Sequence, residues 1–303
     1  MSLIALLSVH LVGLTSVVCA EEPPIDSYRG KSIAGWVELL QSKNESQRKL
    51  SYEIFDKIGQ DVDAIPALWA GLKSKNPKVR SFSAFYLAKF HKELKAESKR
   101  LIECLKLPPG TSTNLMEDVD FRYHIIRLLT KISPVGTDVI PSLIEITKSD
   151  NRSAKAAAIY GLGLYKSNDS DVISLLIEQA HGEDVFHARL AVRAFGMLNL
   201  NWEIAESHLQ KLLTCRNAHV KKEIVSVIST FGLRAGIFKT SLMRIAAEQS
   251  HSQLRIRAIL ALDQVLGTSE ELDSFLKTLM QDRDKRVVVQ VKKLMDQRAT
   301  QRK

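Results

Sequence analysis

Apolar residues recur along most of the chain at spacings of three and four, which is the period of one face of an α-helix. In seven places a basic residue is followed by an apolar or small residue four positions later and by another seven positions later. Steps of four and three keep these positions on one helical face, so each place predicts an amphipathic helix. The basic residues are Arg48, Arg80, Arg122, Lys155, His187, Lys221 and Arg255.

The pattern repeats at nearly constant intervals of 32, 42, 33, 32, 34 and 34 residues. A candidate helix-capping position stands four residues before each basic residue, and Asn or Asp fills most of these positions. The seven are Asn44, Asn76, Asp118, Asn151, Glu183, Asn217 and His251. A shorter apolar segment precedes each one, and two of these segments, 137–146 and 170–179, match at six of ten positions. Each unit is therefore predicted to be a pair of helices, repeated along the chain.

An eighth unit is degenerate: Val288 replaces the basic residue, and Lys292 and Met295 follow it. The short first helix with a proline, the polar turn and the Asn/Asp-x-x-x-Arg/Lys helix resemble HEAT repeats. The segment 28–59 is similar to the first unit of exported bacterial HEAT-repeat proteins. The resemblance covers residues 30–298 and implies an all-α fold, an α-α superhelix of the armadillo or HEAT type with about eight helical hairpins.

The seven basic residues, here called the basic ladder, allow two interpretations. They could contact a ligand, or each could hold its helix against a neighbouring turn. The HEAT resemblance implies pairing with an acidic or amide side chain of the next turn. A feature present in every repeat usually serves stacking, so we favour the structural role. The aromatic residues on the predicted helices are expected in the core: Tyr52, Phe55, Trp69, Phe85, Tyr86, Phe195 and Phe231.

The long interval of 42 places about nine additional residues in the third unit, within the segment 107–118. Its Pro-Pro-Gly sequence and its Ser and Thr residues predict a loop. Insertions in solenoids collect on one face, which is often the binding face. A tolerated surface insertion is the alternative explanation.

The first twenty residues contain no Asp, Glu, Lys or Arg and end in Val18-Cys19-Ala20. This pattern predicts a signal peptide, 1–20, cleaved between Ala20 and Glu21, and an exported protein, periplasmic or extracellular. We then expect no stable membrane insertion. The alternatives are an uncleaved membrane anchor, although the apolar run is shorter than the roughly 20 residues of a spanning helix, and a lipoprotein attached at Cys19.

The composition raises the question of where the net positive charge of the chain lies. Apolar residues are 45% and charged residues 25% of the chain, which excludes a disordered chain, a collagen and a polytopic membrane protein. The net charge is +9, which favours an anionic partner, but residues 283–303 alone contribute +6. The excess therefore belongs to the C-terminal end, where the candidate contacts for an anionic partner are Lys292, Lys293, Arg298 and Arg302.

We find no phosphate-binding loop, dinucleotide motif, nucleophile elbow or zinc-binding helix in the sequence. Gly161-Leu-Gly163 falls within a predicted helix, where close helix packing is the better explanation. Cys104 and Cys215 are expected to be small apolar side chains rather than a disulfide. We therefore expect no enzyme activity, no cofactor and no metal site.

The sequence favours an exported, monomeric scaffold that binds a protein partner through its curved solenoid surface. The alternatives are a binder of an anionic polymer or surface through the basic C-terminal end and, less favoured, a HEAT-like lyase or glycosylase. We do not expect nucleic acid as a partner. The predicted boundaries are a linker at 21–29, the solenoid at 30–298 and a basic tail at 299–303.

Overall fold

The computed structural model describes residues 26–107, 120–133, 138–198, 200–248 and 250–301. Within them lie sixteen α-helices, which alternate as the first and second members of pairs. The first helices are α1 (Ile33–Leu39), α3 (Ile65–Leu72), α5 (Ser98–Leu105), α7 (Ile140–Thr147), α9 (Ser170–Ala180), α11 (Trp202–Leu212), α13 (Lys239–Glu248) and α15 (Glu270–Leu279). The second helices are α2 (Glu45–Ile58), α4 (Pro77–Leu87), α6 (Phe121–Ile132), α8 (Arg152–Leu164), α10 (Val185–Met197), α12 (Ala218–Thr230), α14 (Ser252–Leu266) and α16 (Lys285–Gln301).

Each first helix packs on the second helix that follows it, which gives eight helical pairs in the described residues. From α4 to α16, each second helix also packs on the second helix of the next pair, whereas neighbouring first helices contact each other sparsely. The more closely spaced row lies on the inner side of a curved array. The exposed side of the second helices therefore forms the concave surface, here called the inner face. The predicted α-α superhelix of helical hairpins is confirmed.

Side-chain caps start most of the second helices, as the sequence predicts. Asn44, Asn76, Asn151 and Asn217 accept hydrogen bonds from first-turn amides of α2, α4, α8 and α12. These bonds satisfy amides that have no partner within the helix. The repeated asparagine therefore fixes where each second helix begins.

The other three predicted caps differ. Asp184, rather than Glu183, caps α10. His251 precedes α14, but its side chain makes no capping hydrogen bond. Asp120 caps α6, and Asp118 lies outside the described residues. At α6 and α10, therefore, an aspartate one or two positions after the predicted cap accepts hydrogen bonds from the first-turn amides.

One hydrophobic core continues from Tyr28 to Leu294 through all eight pairs. Cys104 and Cys215 are free thiols, half-buried and buried respectively, in agreement with their expected role as small apolar side chains. Because each pair has too little apolar surface to form a core alone, stacking on its neighbours supplies the burial.

Helices approach most closely at glycines. A Cβ at Gly163 of α8 would lie 2.7 Å from Ala194 Cα of α10. A Cβ at Gly161 would lie 2.8 Å from Ile126 Cγ2 of α6. Both distances are shorter than van der Waals contact allows, so the two glycines permit the close packing that the sequence suggested.

A small β-hairpin covers the N-terminal end of the array. β1 (Ser27–Tyr28) pairs antiparallel with β2 (Lys31–Ser32). The Tyr28 hydroxyl donates to Asp61 Oδ2 at 2.8 Å, and Trp36 Nε1 donates to the Tyr28 carbonyl at 2.8 Å. These bonds attach the hairpin to the first two pairs.

Both ends of the folded array differ from the predicted bounds of the solenoid, 30–298. The hairpin begins inside the predicted linker 21–29, and α16 continues beyond residue 298, the predicted end. No helix that the structure describes is both long and apolar enough to cross a membrane. The predictions that fall outside the described residues are the signal peptide 1–20, positions 108–118 of the predicted loop, and Arg302.

We expect Gly163→Ala to lower the free energy of unfolding by about 1–3 kcal/mol, because the added methyl group overlaps the Ala194 backbone and forces α8 away from α10. Urea unfolding followed by circular dichroism measures the change. Gly236→Ala is the control, since nothing lies within 4 Å of a Cβ at that position. Equal losses in the two variants would contradict the close approach of α8 and α10.

Candidate functional site

The first two arginines of the basic ladder donate to carbonyls just after the preceding first helix. Arg48 Nη1 lies 2.7 Å from the Ser42 carbonyl oxygen, and Arg80 Nη1 lies 2.6 Å from the Ser74 carbonyl oxygen. Carbonyls at the C-terminal end of a helix lack partners within the helix and attract positive charge. Each guanidinium therefore joins the two helices of its own pair.

Arg122 and Arg255 make the same kind of contact in later pairs. Arg122 Nε lies 2.8 Å from the Leu105 carbonyl oxygen, and Arg255 Nε lies 2.7 Å from the Ala246 carbonyl oxygen. Arg255 also donates through Nη1 to Asp282 Oδ1 of the next pair, at 3.0 Å. Both arginines are buried and make their hydrogen bonds within the protein.

The remaining three ladder residues behave differently. His187 Nε2 lies 2.9 Å from the Arg152 carbonyl oxygen of the preceding pair. Lys155 and Lys221 are half-buried, and neither side chain forms a hydrogen bond with another described residue. The contacts thus run mainly to backbone carbonyls of the same pair, not to side chains of the next turn. They support the structural role of the ladder, which stays a prediction.

The predicted anionic contacts at the C-terminal end need one correction. Arg298 is only 5% exposed. Its Nη1 lies 2.6 Å from Asp263 Oδ1, and its Nε lies 2.9 Å from Asp273 Oδ1. Because two carboxylates already neutralise it, Arg298 is not available to an anionic partner. The predicted contacts that are exposed on α16 are Lys292 and Lys293.

The second helices of the inner face and the first helices differ in their acidic residues, and the net charge of the whole chain does not show this difference. Four consecutive second helices, α4, α6, α8 and α10, contain no Asp or Glu. The alternating first helices α5, α7, α9 and α11 each contain at least one acidic residue. The basic residues of the four second helices are Lys78, Arg80, Arg122, Arg127, Lys131, Arg152, Lys155, Arg189 and Arg193. Assigning charges helix by helix would reveal this pattern from the sequence.

The stretch without acidic residues ends at α12. Glu223 of α12 is 8% exposed and accepts hydrogen bonds from Arg189 Nη2 at 2.8 Å and Arg193 Nη2 at 2.9 Å. Burial by itself raises the pKa of Glu223, but the hydrogen bonds from Arg193 and Arg189 outweigh burial and hold the pKa below its ordinary value. The carboxylate is therefore ionised at neutral pH and ties α10 to α12.

Aromatic rings connect α4, α6 and α8 on the inner face. Ring centroids lie 5.1 Å apart for Phe85 and Tyr86, and 5.4 Å apart for Phe85 and His124. They lie 5.4 Å apart for His124 and Tyr123, and 5.4 Å apart for Tyr123 and Tyr160. We call these five residues the aromatic row. The expectation that Phe85 is a core residue is wrong, since it is 45% exposed.

The expectation that Tyr52 is a core residue is also wrong, since its side chain is 59% exposed. Phe55, Trp69 and Phe195 are buried as expected. The helical period alone could not separate these cases, because inner-face and core-facing positions are only one or two residues apart on a helix.

Two cations lie over rings of the aromatic row. Lys89 Nζ lies 4.8 Å from the ring centroid of Tyr86 and 5.3 Å from that of Phe85. Arg127 Cζ lies 5.7 Å from the ring centroid of Tyr123. These distances suit cation–π attraction. Both cations are exposed, and neither pairs with a carboxylate in the part of the chain that the structure describes.

His124 does not add charge to the row at neutral pH. Burial, and next the nearby Arg127 guanidinium, lower the pKa of His124 from 6.5 to about 4. Its imidazole is therefore neutral, and the positive charge at the row comes from Lys89 and Arg127.

A cavity of about 500 Å³ lies between the third and fourth pairs. Leu105, Pro141 and Ile146 contribute to its lining, and Glu145 supplies a carboxylate. Glu145 Oε2 lies 2.8 Å from Lys148 Nζ. Within the described ranges, no group of three or more His, Cys, Asp or Glu residues could hold a metal ion. The absence of a metal and of a cofactor stays a prediction.

No family model matches the chain, and no curated protein is similar to it. Solved structures do match. One is the complex of CpcE and CpcF of phycocyanin lyase from Nostoc sp. PCC7120, at 19% sequence identity and a TM-score of 0.44. The match covers 77% of this chain and 94% of the other chain. The expectation that the protein is not an enzyme is corrected, because this match is to a lyase complex.

We expect the free energy of unfolding to fall as the pH is lowered from about 6.5 toward 4. Unfolded His124 binds a proton below 6.5, whereas the folded protein resists protonation there until about 4. His124→Gln should reduce this fall by about 1–2 kcal/mol, an estimate that allows for solvent screening. Urea unfolding at a series of pH values measures it. His181→Gln, at an exposed position, should keep the wild-type slope. The interpretation fails if His124→Gln keeps it too.

Proposed function

We propose that the protein is a scaffold whose inner face binds a polypeptide partner. One observation carries this proposal: α4, α6, α8 and α10 of the inner face contain no acidic residue, while α5, α7 and α9, the first helices of the last three of these pairs, each contain at least one. Solvation alone does not require the two faces to differ in charge. A positive, partly aromatic concave surface suits a partner that lies along the array.

The curvature supports the same function. Closely packed second helices are about 8–10 Å apart, so four of them extend over about 25–30 Å. A surface of this length presents side chains from several repeats to one partner, as concave surfaces of solenoids commonly do. Arg127 and Tyr160 lie on the neighbouring helices α6 and α8 of this surface and are both accessible.

The C-terminal end is a weaker candidate surface. Arg298 is neutralised internally by Asp263 and Asp273. Arg286 pairs with Asp284, with Nη2 and Oδ2 3.0 Å apart. Fewer cations are therefore open to an anionic polymer than the charge of +6 in this region suggests. Export of the protein stays a prediction.

A second candidate is a HEAT-like lyase activity on a small molecule, which the cavity beside Glu145 favours. Most of the lining surface is apolar, and Lys106, Arg122 and Glu145 supply charged groups, a composition found in small-molecule sites. A bilin, the ligand class of the bilin lyases among HEAT-like proteins, is the direct probe. If the cavity holds it, mixing should shift the visible absorption band, and Ile146→Trp, which fills the cavity, should abolish the shift. An unchanged spectrum with the wild-type protein would remove this candidate.

Site-specific photo-crosslinking tests the scaffold function. A benzoylphenylalanine at Ala156, which lies one helical turn before Tyr160 on α8, should give a discrete protease-sensitive adduct in the cells that make the protein. The same probe at Lys211, exposed on the first helix α11, should give none, because the partner lies on the opposite face.

Mass spectrometry of the adduct then identifies the polypeptide. No adduct at Ala156, or equal labelling at Ala156 and Lys211, would contradict binding at the inner face.

A further inference from the structure

Aromatic rings and two cations lie together on the inner face, across α4, α6 and α8. We propose that this surface, formed by the aromatic row with Lys89 and Arg127, holds an extended acidic polypeptide segment that also carries apolar side chains. The inference rests on the proposed scaffold function and names the chemistry of its partner.

Unpaired positive charge is the first reason. Lys89, Arg127 and Lys131 are exposed, and none of them meets a carboxylate among the residues that the structure describes. The nearest second helices, α4, α6 and α8, offer no carboxylate of their own. A partner that supplies carboxylates would therefore complement these three cations.

Exposed aromatic surface is the second reason. Phe85 is 45% exposed, and Tyr86, Tyr123 and Tyr160 are half-buried. Partly exposed rings that rest on a rigid core gain free energy when apolar side chains cover them. An acidic segment without apolar side chains would not cover the rings, so this free energy would not contribute to its binding.

The placement of the cations favours a polypeptide over a nucleic acid. Lys89 lies over the rings of both Phe85 and Tyr86, and Arg127 lies over the ring of Tyr123. Bases bind single-strand platforms by stacking on open ring faces, and here three ring faces are already in contact with cations. Aliphatic side chains can instead pack against the ring edges while carboxylates meet the ammonium and guanidinium groups.

The helix spacing sets the length of the segment. The distance from α4 to α8 is about 16–20 Å, and an extended chain rises about 3.3 Å per residue. About five or six residues therefore span the surface. Beyond α8, Arg189 and Arg193 of α10 already share Glu223 of α12, so the acidic segment does not extend onto α10.

Fluorescence anisotropy with a defined probe tests the proposal on the full chain. The probe is a fluorescein-labelled peptide of about six residues with alternating glutamate and leucine, matched to the span above. We expect saturable binding at about 50 mM salt that weakens as salt screens the charges. Replacing every glutamate by glutamine should weaken binding at least about tenfold. Replacing every leucine by serine should weaken it about fivefold or more.

Protein variants locate the binding. The double substitution Lys89→Gln with Arg127→Gln should weaken peptide binding about tenfold, and Phe85→Ser should weaken it about fivefold. The matched control, Lys211→Gln with Lys277→Gln, removes two exposed lysines from the first helices α11 and α15 and should leave binding unchanged. Circular dichroism and urea unfolding verify that each variant is folded.

Three results would overturn the proposal: no peptide binding, binding that the inner-face and control variants change equally, or tighter binding of oligouridylate or polyglucuronate with the same dependence on Lys89 and Arg127. The crosslink at Ala156 distinguishes failure of the acidic-segment proposal from failure of the scaffold function. An adduct that persists while the peptide does not bind keeps the inner face as the interface and rejects the acidic segment. Loss of both rejects both.

Discussion

The packing of each second helix on the second helix of the next pair is the contact on which the structure depends. No pair has enough apolar surface to form its own core, so burial is completed only between neighbours. The contact requires small side chains where backbones approach, as at Gly163 against Ala194. It also brings the exposed sides of the second helices onto one continuous surface. The same packing therefore provides the stability of the array and creates the inner face.

Burying arginines beside this contact has a cost that the helix ends offset. Arg80, Arg122 and Arg255 are each at most 5% exposed, and a buried charge needs partners. The carbonyls at the end of the first helix also need partners, because the helix leaves them without donors. Placing the guanidinium against those carbonyls meets both needs at once. We propose this as the reason why a basic residue recurs early in so many second helices and usually makes its contact within the pair.

The cations that remain on the inner face are of a different kind. Lys89 and Arg127 lie over exposed rings rather than against carbonyls. Glu223, in contrast, is buried and neutralises Arg189 and Arg193. The charges of these three side chains are therefore satisfied within the protein. Charge on this protein thus divides into a part that holds helices together and a part that is presented on the surface. On the inner face, only the second part can select a partner, and it lies on α6 and directly after α4.

The sequence alone determined the repeated architecture. Apolar periodicity, the caps Asn44, Asn76, Asn151 and Asn217, and the regular spacing are local signals, and each is read from a few neighbouring residues. The misplaced cap at Glu183 shows the limit of such signals, because the adjacent Asp184 satisfies the same amides.

The tertiary structure decided which residues form the candidate site. Phe85, Tyr123 and Tyr160 are far apart in the chain and meet only because their helices stack. Arg298 looked available in the sequence, but its two carboxylate partners come from α14 and α15. Exposure and pairing are properties of contacts between helices, and the helical period fixes a residue's direction only relative to its own axis. For that reason the sequence predicts the array, whereas its binding surface becomes visible only after the helices are packed.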